Sequence, residues 1–202
     1  MASRIEGYDE KIIECSLKEF LEKGYNDASL RNIAGAAGVS TSTIYTRFKD
    51  KEGLFNYLIA PVYKLPAAME EILESFFSMS VSKQKEEFDS AGDKGFLRAV
   101  DMIYADYPSY KLLVSCSPGN IYNDFLEKLI DMDVRYTMIY LKEMKSRALR
   151  SGRINEGFCR VVSTSFYSAV FYCVERDMTK KEAAKYIDEL RSFHGRGWSA
   201  YF

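Results

Sequence analysis

Between Ser29 and Lys51 the chain reads SLRNIAGAAGVSTSTIYTRFKDK, and its chemistry-bearing side chains are hydroxyls and cations. Arg31, Arg47, Lys49 and Lys51 stand there against one acid, Asp50. Such groups suit phosphate oxygens, which accept charge-assisted hydrogen bonds and fix a protein on a duplex without reading its sequence. Ser29, Arg31, Tyr45, Arg47 and Lys51 are the expected phosphate ligands, Lys51 adding its charge to a helix N-terminus. Ser40, Thr41, Ser42, Thr43 and Thr46 supply a row of hydroxyls, with Thr41, Ser42 and Thr46 the candidates for base edges. Hydroxyls discriminate bases less sharply than Arg on guanine or Asn on adenine, so no DNA sequence follows from them.

These groups need a scaffold, and the same stretch encodes one. Ser29 is placed to N-cap a helix on which Leu30, Ile33, Ala34 and Ala37 recur at helical spacing. Gly38 follows where a left-handed residue ends that helix without steric cost, and Val39 plugs the turn. Ser40 caps a second helix running to Phe48, with Ile44 and Phe48 facing inward. Asp50 caps the next helix, from Lys51. Two short helices, a glycine turn and a polar outer face make a helix-turn-helix, whose second helix enters a DNA major groove. A preceding helix from Asp9 to Lys23, closed by Gly24, supports the pair. Its expected buried stripe is Ile13, Leu17, Phe20 and Leu21, flanked by Ile12 and Ser16. Pro61 and Pro66 should kink or break the fourth helix.

The rest of the chain also reads as helices. Segments from Ala67 to Met79 and Ser82 to Ser90 are followed by AGDKG, which breaks the pattern before it resumes over Phe96–Asp106. Pro108 suits the first turn of a helix through Cys116. One long helix is expected from Ile121 to Arg150, closed by Gly152, then helices over Ile154–Arg176 and from Thr179 to His194. Thr179 and Glu182 form a capping box. The fold class is therefore all-α, with about nine helices: a helix-turn-helix domain over 1–50 and an effector-binding and dimerisation domain over 51–202.

Two constellations in this second domain carry functional expectations. Met102, Tyr104, Tyr107, Tyr110, Phe125, Tyr136, Tyr140, Met144 and Phe166 form an aromatic and methionine cluster suited to a small apolar or aromatic effector. Phe158, Val162, Ser165, Ala169 and Cys173, with Ala183, Ile187 and Leu190, form the expected homodimer interface, small residues beside aromatics on two helices.

Composition excludes several alternatives. With 47% hydrophobic and 28% charged residues the chain is of ordinary globular type, and its net charge of −1 makes any basic surface a local one. The longest uncharged apolar run, Val161–Val174, is shorter than the ~20 residues that span a bilayer. There is no apolar signal-peptide core, so a cytoplasmic protein is expected. The only histidine, His194, precludes a multi-histidine metal site, and its place near the C-terminus argues against a His-based triad. GDKG around Lys94 lacks P-loop spacing. No catalytic residue, metal site or cofactor is expected, and an enzyme is the remote alternative. Cys15, Cys116, Cys159 and Cys173 lack CxxC spacing and read as reduced thiols, with a redox-switched regulator as the nearer alternative.

Taken together, Phe20, Gly24-Tyr25, Ser29-Leu30-Arg31-Asn32-Ile33-Ala34, Ala37-Gly38-Val39-Ser40, Ile44 to Lys51 and Leu54 resemble the TetR family of bacterial transcriptional regulators. The resemblance covers roughly Glu10 to Leu58; the ending SFHGRGWSAYF is a weaker match. It implies a two-domain, all-α homodimer that binds a pseudo-palindromic operator through its first three helices. It also implies a small-molecule effector that releases a repressor from DNA. The sequence departs from the family at Arg47, where His is usual, and at Thr46, often a larger aromatic residue.

Overall fold

The computed structural model describes residues 2–201 and, outside 2–8, 88–91 and 93, their side chains. The described residues form α-helices and one 3-10 turn, with no strand. The helices are α1 (Ala2–Asp27), α2 (Leu30–Ala37), α3 (Thr41–Phe48), α4 (Lys51–Ile59), α5 (Lys64–Phe77) and α6 (Val81–Ala105). They continue as α7 (Tyr107–Cys116), α8 (Ile121–Glu143), α9 (Arg147–Arg150), α10 (Glu156–Glu175) and α11 (Lys180–Ser199). The chain divides into two compact units, Met1–Tyr63 with Asp106–Tyr122, and Lys64–Ala105 with Asn123–Phe202.

In the first unit α1 packs on α2 and α7. Its helix starts before Asp9, which therefore is not its cap, and Gly24 interrupts it with φ +74°. The buried stripe is rotated from the expected one. Ile12, Ser16 and Phe20 are fully buried, while Ile13 and Leu17 are partly exposed and Leu21 is exposed. Ser16 tolerates the centre of the stripe because its hydroxyl donates to the Ile12 carbonyl at 2.6 Å, leaving no orphaned polar group. Phe20 packs edge-on against Phe55, and Leu54, Phe55, Leu58 and Ile59 of α4 are buried with it. This compact unit thus continues past residue 50. Helix α4 ends at Ile59, and Pro61 lies in the 3-10 turn Ala60–Tyr63, the break expected of these prolines.

In the second unit α6 packs on α5 and α11, and α11 also on α10. The AGDKG stretch does not break α6. A Cβ on Gly95 would stand 3.9 Å from Ile72 Cγ2, ordinary contact with α5, so packing between the two helices outweighs glycine's weak propensity. The long helix expected from Ile121 to Arg150 is interrupted instead. Lys145 adopts φ +52°, and the Ser146 amide donates back to the Leu141 carbonyl at 2.9 Å, closing α8. Ser146 then caps α9 through Leu149 N at 3.3 Å. A lysine in the usual glycine position hid this stop. Thr179 and Glu182 form the expected capping box of α11. That helix continues through Gly195 and Gly197, and Arg153 donates to the Ala200 carbonyl at 2.8 Å to hold the tail.

Candidate nucleic-acid interface and an internal cavity

The turn between α2 and α3 is built as its residue types require. Ser29 accepts from Asn32 N at 3.4 Å, and Ser40 accepts from Thr43 N at 3.2 Å. Gly38 takes φ +70° between the two helices, where a side chain would be strained. Ile33, Ala34, Ala37 and Ile44 are buried beneath the turn. Their burial against α1 and α4 fixes the angle between the helices and leaves the polar side of α3 outward.

That outward side carries Ser42, Tyr45, Thr46 and Arg47, with Thr41 and Thr43 partly exposed. Tyr45 is 53% exposed, which leaves its ring and its hydroxyl open to a partner. The hydroxyls are not equivalent. Ser40 Oγ lies 2.7 Å from Ser42 Oγ and 2.9 Å from Thr43 Oγ1, a small network over the α3 N-terminus. Thr46 Oγ1 donates to the Ser42 carbonyl at 2.8 Å, so its proton is spent inside the helix and only acceptor capacity faces out. Arg31 is exposed at the start of α2.

Three acid or lysine contacts shape this surface beyond the expected list. Glu19 Oε1 accepts from the Ser29 amide and from Asn32 Nδ2, both at 3.1 Å, so α1 grips the N-terminus of α2. An acid on α1, spaced ten residues before Ser29, carried no recognisable signal. Arg47 pairs with Asp9 of α1. Lys51 directs its ammonium at the carbonyls of Asn26 (2.9 Å) and Ala28 (3.0 Å) and lies 4.9 Å from the centre of the Tyr25 ring. Two of its three donors therefore serve the fold.

The second unit holds a half-open cavity of about 280 Å³, just under the ~300–1,000 Å³ usual for ligand sites. Residues of α5, α6, α8, α10 and α11 line it. Of the residues expected there, Tyr136, Tyr140 and Phe166 do so, joined by Phe76, Phe77, Phe96, Met132 and Trp198. Met102, Tyr104, Tyr107, Tyr110, Phe125 and Met144 do not. Tyr104 donates to the Met178 carbonyl at 2.7 Å, and Phe125 packs edge-on against Phe171. Tyr107 and Tyr110 belong to the first unit, where burial pushes the Tyr110 phenol well above its usual range. Helical spacing placed these rings on inner faces without saying which inner face.

The lining also carries ionisable side chains, Asp133, Arg191 and His194. Asp133 accepts from the Ser163 hydroxyl; burial raises its carboxyl above the usual range and that hydrogen bond offsets part of the rise. Burial raises the Tyr167 phenol, with the Asp133 charge adding to it, and lowers His194, whose ring lies edge-on 4.8 Å from that of Phe166.

The expected dimer residues divide. Cys173, Ala183 and Ile187 are buried in the chain's own core, Val162, Ala169 and Leu190 are partly buried, and Phe158 and Ser165 are exposed. The exposed face instead gains Val161 (70% exposed), Tyr172 and Phe193 (75%). Spacing by three and four from 158 to 161, 165 and 172 puts the α10 members on one stripe.

Residues 12–58 match the family model described as bacterial regulatory proteins, tetR family. A comparison with curated proteins gives no match. Among solved structures, the chain is similar to NalD of Pseudomonas aeruginosa, the secondary repressor of the MexAB-OprM multidrug efflux pump. The TM-score is 0.60 at 19% identity, covering 93% of this chain and 96% of that one. PfmR, a TetR-family regulator of Thermus thermophilus, gives 0.55 at 20% identity over 91% and 94%. SCO3833 of Streptomyces coelicolor, a member of the same family, gives 0.54 at 19% identity over 89% and 86%. No helix among the described residues is long and apolar enough to cross a membrane. Residues 12–58 are thus a TetR-family DNA-binding segment, and the chain around them has the all-α fold of TetR-family regulators.

Proposed function

We propose that the protein is a cytoplasmic transcriptional repressor that binds a two-fold-symmetric operator as a homodimer and leaves it when a small molecule occupies the cavity of the second unit. The observation that carries the reading is the capped α2–α3 turn, which holds an exposed Tyr45 and a hydroxyl face outward beside Arg31 and Arg47. Within the first unit, residues 1–50 act as the DNA-binding segment; the second unit carries effector binding and dimerisation. Ser29, Arg31, Tyr45 and Arg47 hold phosphates; Thr41 and Ser42 meet base edges. Ser40, Thr43 and Lys51 position the helices, their hydrogen bonds being used within the chain.

The dimer forms through the exposed face of α10 and α11, with Phe158, Val161, Ser165, Tyr172 and Phe193 at its centre, since apolar side chains so exposed favour burial. The aromatic lining of the cavity favours an effector with an aromatic or apolar body. The redox alternative is weaker: burial raises the thiols of Cys116, Cys159 and Cys173, which leaves little thiolate to react. NalD, similar in fold, is described as a repressor, in keeping with this direction of control.

The test is a reporter gene placed behind a DNA site selected by the protein. Expression should fall when the protein is produced and recover when a cavity ligand, found by thermal shift, is added. Reciprocal linkage requires that operator DNA weaken the same ligand's binding. Rising expression on production of the protein would overturn the repressor assignment.

A further inference from the structure

We propose that the cavity selects a ligand joining an aromatic body to a positively charged nitrogen, with the Asp133 carboxylate as counter-ion. This rests on reading the cavity as the effector site. Asp133 lies on α8 and shares the cavity lining with rings of α5, α6 and α8, including Phe76, Phe96 and Tyr136. No Lys, Arg or His pairs with it among the described residues; the Ser163 hydroxyl is its hydrogen-bond donor there. One donor fills only part of the acceptor capacity of a carboxylate. Asp133 is half-buried in a largely apolar lining, where a carboxylate without a cation is costly, and joining α8 to α10 through Ser163 would need only an amide at this position. The arrangement is therefore poorly explained as packing and well explained as half of an ion pair.

The rest of the lining fits a cation. Ring faces attract a cationic nitrogen, so rings near a carboxylate reinforce its selectivity. The two basic side chains of the lining are otherwise engaged. Arg191 pairs with Asp188 at 3.3 Å, and burial keeps His194 neutral at neutral pH, with its ring against Phe166. An anionic ligand would have to approach Asp133 directly or break the Arg191 pair. A neutral ligand would leave the carboxylate uncompensated. An ammonium offers the charge and the N–H donors that Asp133 lacks.

The test measures binding of naphthylmethylamine, naphthylmethanol and naphthoate to the full chain by isothermal titration at neutral pH. The three share a ring system and differ in charge. The wild-type protein should bind the amine about tenfold more tightly than the alcohol, as expected of one buried charge-assisted hydrogen bond. Asp133→Asn should reduce that preference to about twofold or less with the alcohol's affinity kept, and Asp133→Glu should retain it. Equal binding of amine and alcohol, or tightest binding of naphthoate, would overturn the charge assignment while leaving the cavity as a ligand site. If no probe binds the wild-type chain at millimolar concentration, the cavity reading itself falls, and this inference with it. The wild-type comparison decides even where a variant does not fold.

Discussion

The Lys51 ammonium donates to the Ala28 carbonyl at 3.0 Å, tying the first turn of α4 to the residue before the cap of α2. A second bond, to Asn26 at 2.9 Å, and the Tyr25 ring beneath make this lysine a clamp on the helix-turn-helix entry. Lys51→Ala should therefore lower stability by about 1–2 kcal/mol, a shift of roughly 2–8 °C in Tm. DNA affinity should fall with it, but the salt dependence should change by less than about half a unit, because a lost phosphate contact would flatten it by about one. Thermal melts and binding isotherms at several salt concentrations separate the two roles.

Gly53 leaves no room for a side chain at this surface. A Cβ there would fall on the Phe48 carbonyl oxygen, at the end of α3, while the Gly53 amide donates to Asp50 Oδ1 at 2.7 Å. Gly53→Ala should cost about 1–3 kcal/mol, as overpacking does, and should weaken DNA binding by displacing α3. Gly35→Ala is the control. Nothing lies within 4 Å of the added carbon, so it should be neutral or stabilising by up to about 1 kcal/mol. Denaturant midpoints of both variants check the contrast.

Arg47 and Asp9 form an ion pair across α3 and α1, so a phosphate must compete with Asp9 for the guanidinium. Asp9→Asn removes the competitor and a negative charge near the DNA. Affinity for any duplex should rise several-fold, and the rise should disappear in the Asp9→Asn, Arg47→Ala double variant. Fluorescence anisotropy with specific and random duplexes would show it. A gain that persists without Arg47 would mean that Asp9 acts by general repulsion.

The first unit was the more legible because its instructions are local. Ser29, Gly38, Ser40 and Asp50 adopt the caps and the left-handed turn that their types and spacing predict. Glu19 escaped because its partners, Ser29 and Asn32, lie on another helix; Gly53 escaped although its contacts with Phe48 and Asp50 are local, a glycine in the first turn of a helix being itself the sign of close approach. In the second unit, periodicity identifies helices and inner faces but not which faces meet. Asp133 was hidden between Asp131 and Arg135, charges of the same helix that are exposed, Gly95 mimicked a stop that packing with α5 overrides, and Lys145 made a stop without glycine.

Asp133 also gives the ligand-free protein a pH signature. Its folded carboxyl titrates above the unfolded value of about 3.9, so the stability from this group is complete below that pH and is lost as pH rises through the raised value. Asp133→Asn has no charge to bury. Its melting temperature should match the wild type near pH 4 and exceed it at pH 7, with the gap opening between. A gap independent of pH would mean that the substitution acts only through packing or the Ser163 hydrogen bond.

The most direct test of DNA recognition by the α2–α3 surface is selection of bound duplexes from a random pool by the full-length protein. A two-fold-symmetric site should be enriched, with half-sites one helical turn or a multiple of it apart. Tyr45→Ala should lose affinity for that site while keeping the wild-type melting temperature, because its ring is exposed. Failure of the folded wild-type protein to enrich any sequence, or full operator affinity in both Tyr45→Ala and Arg31→Ala, would contradict that surface as the DNA-binding face.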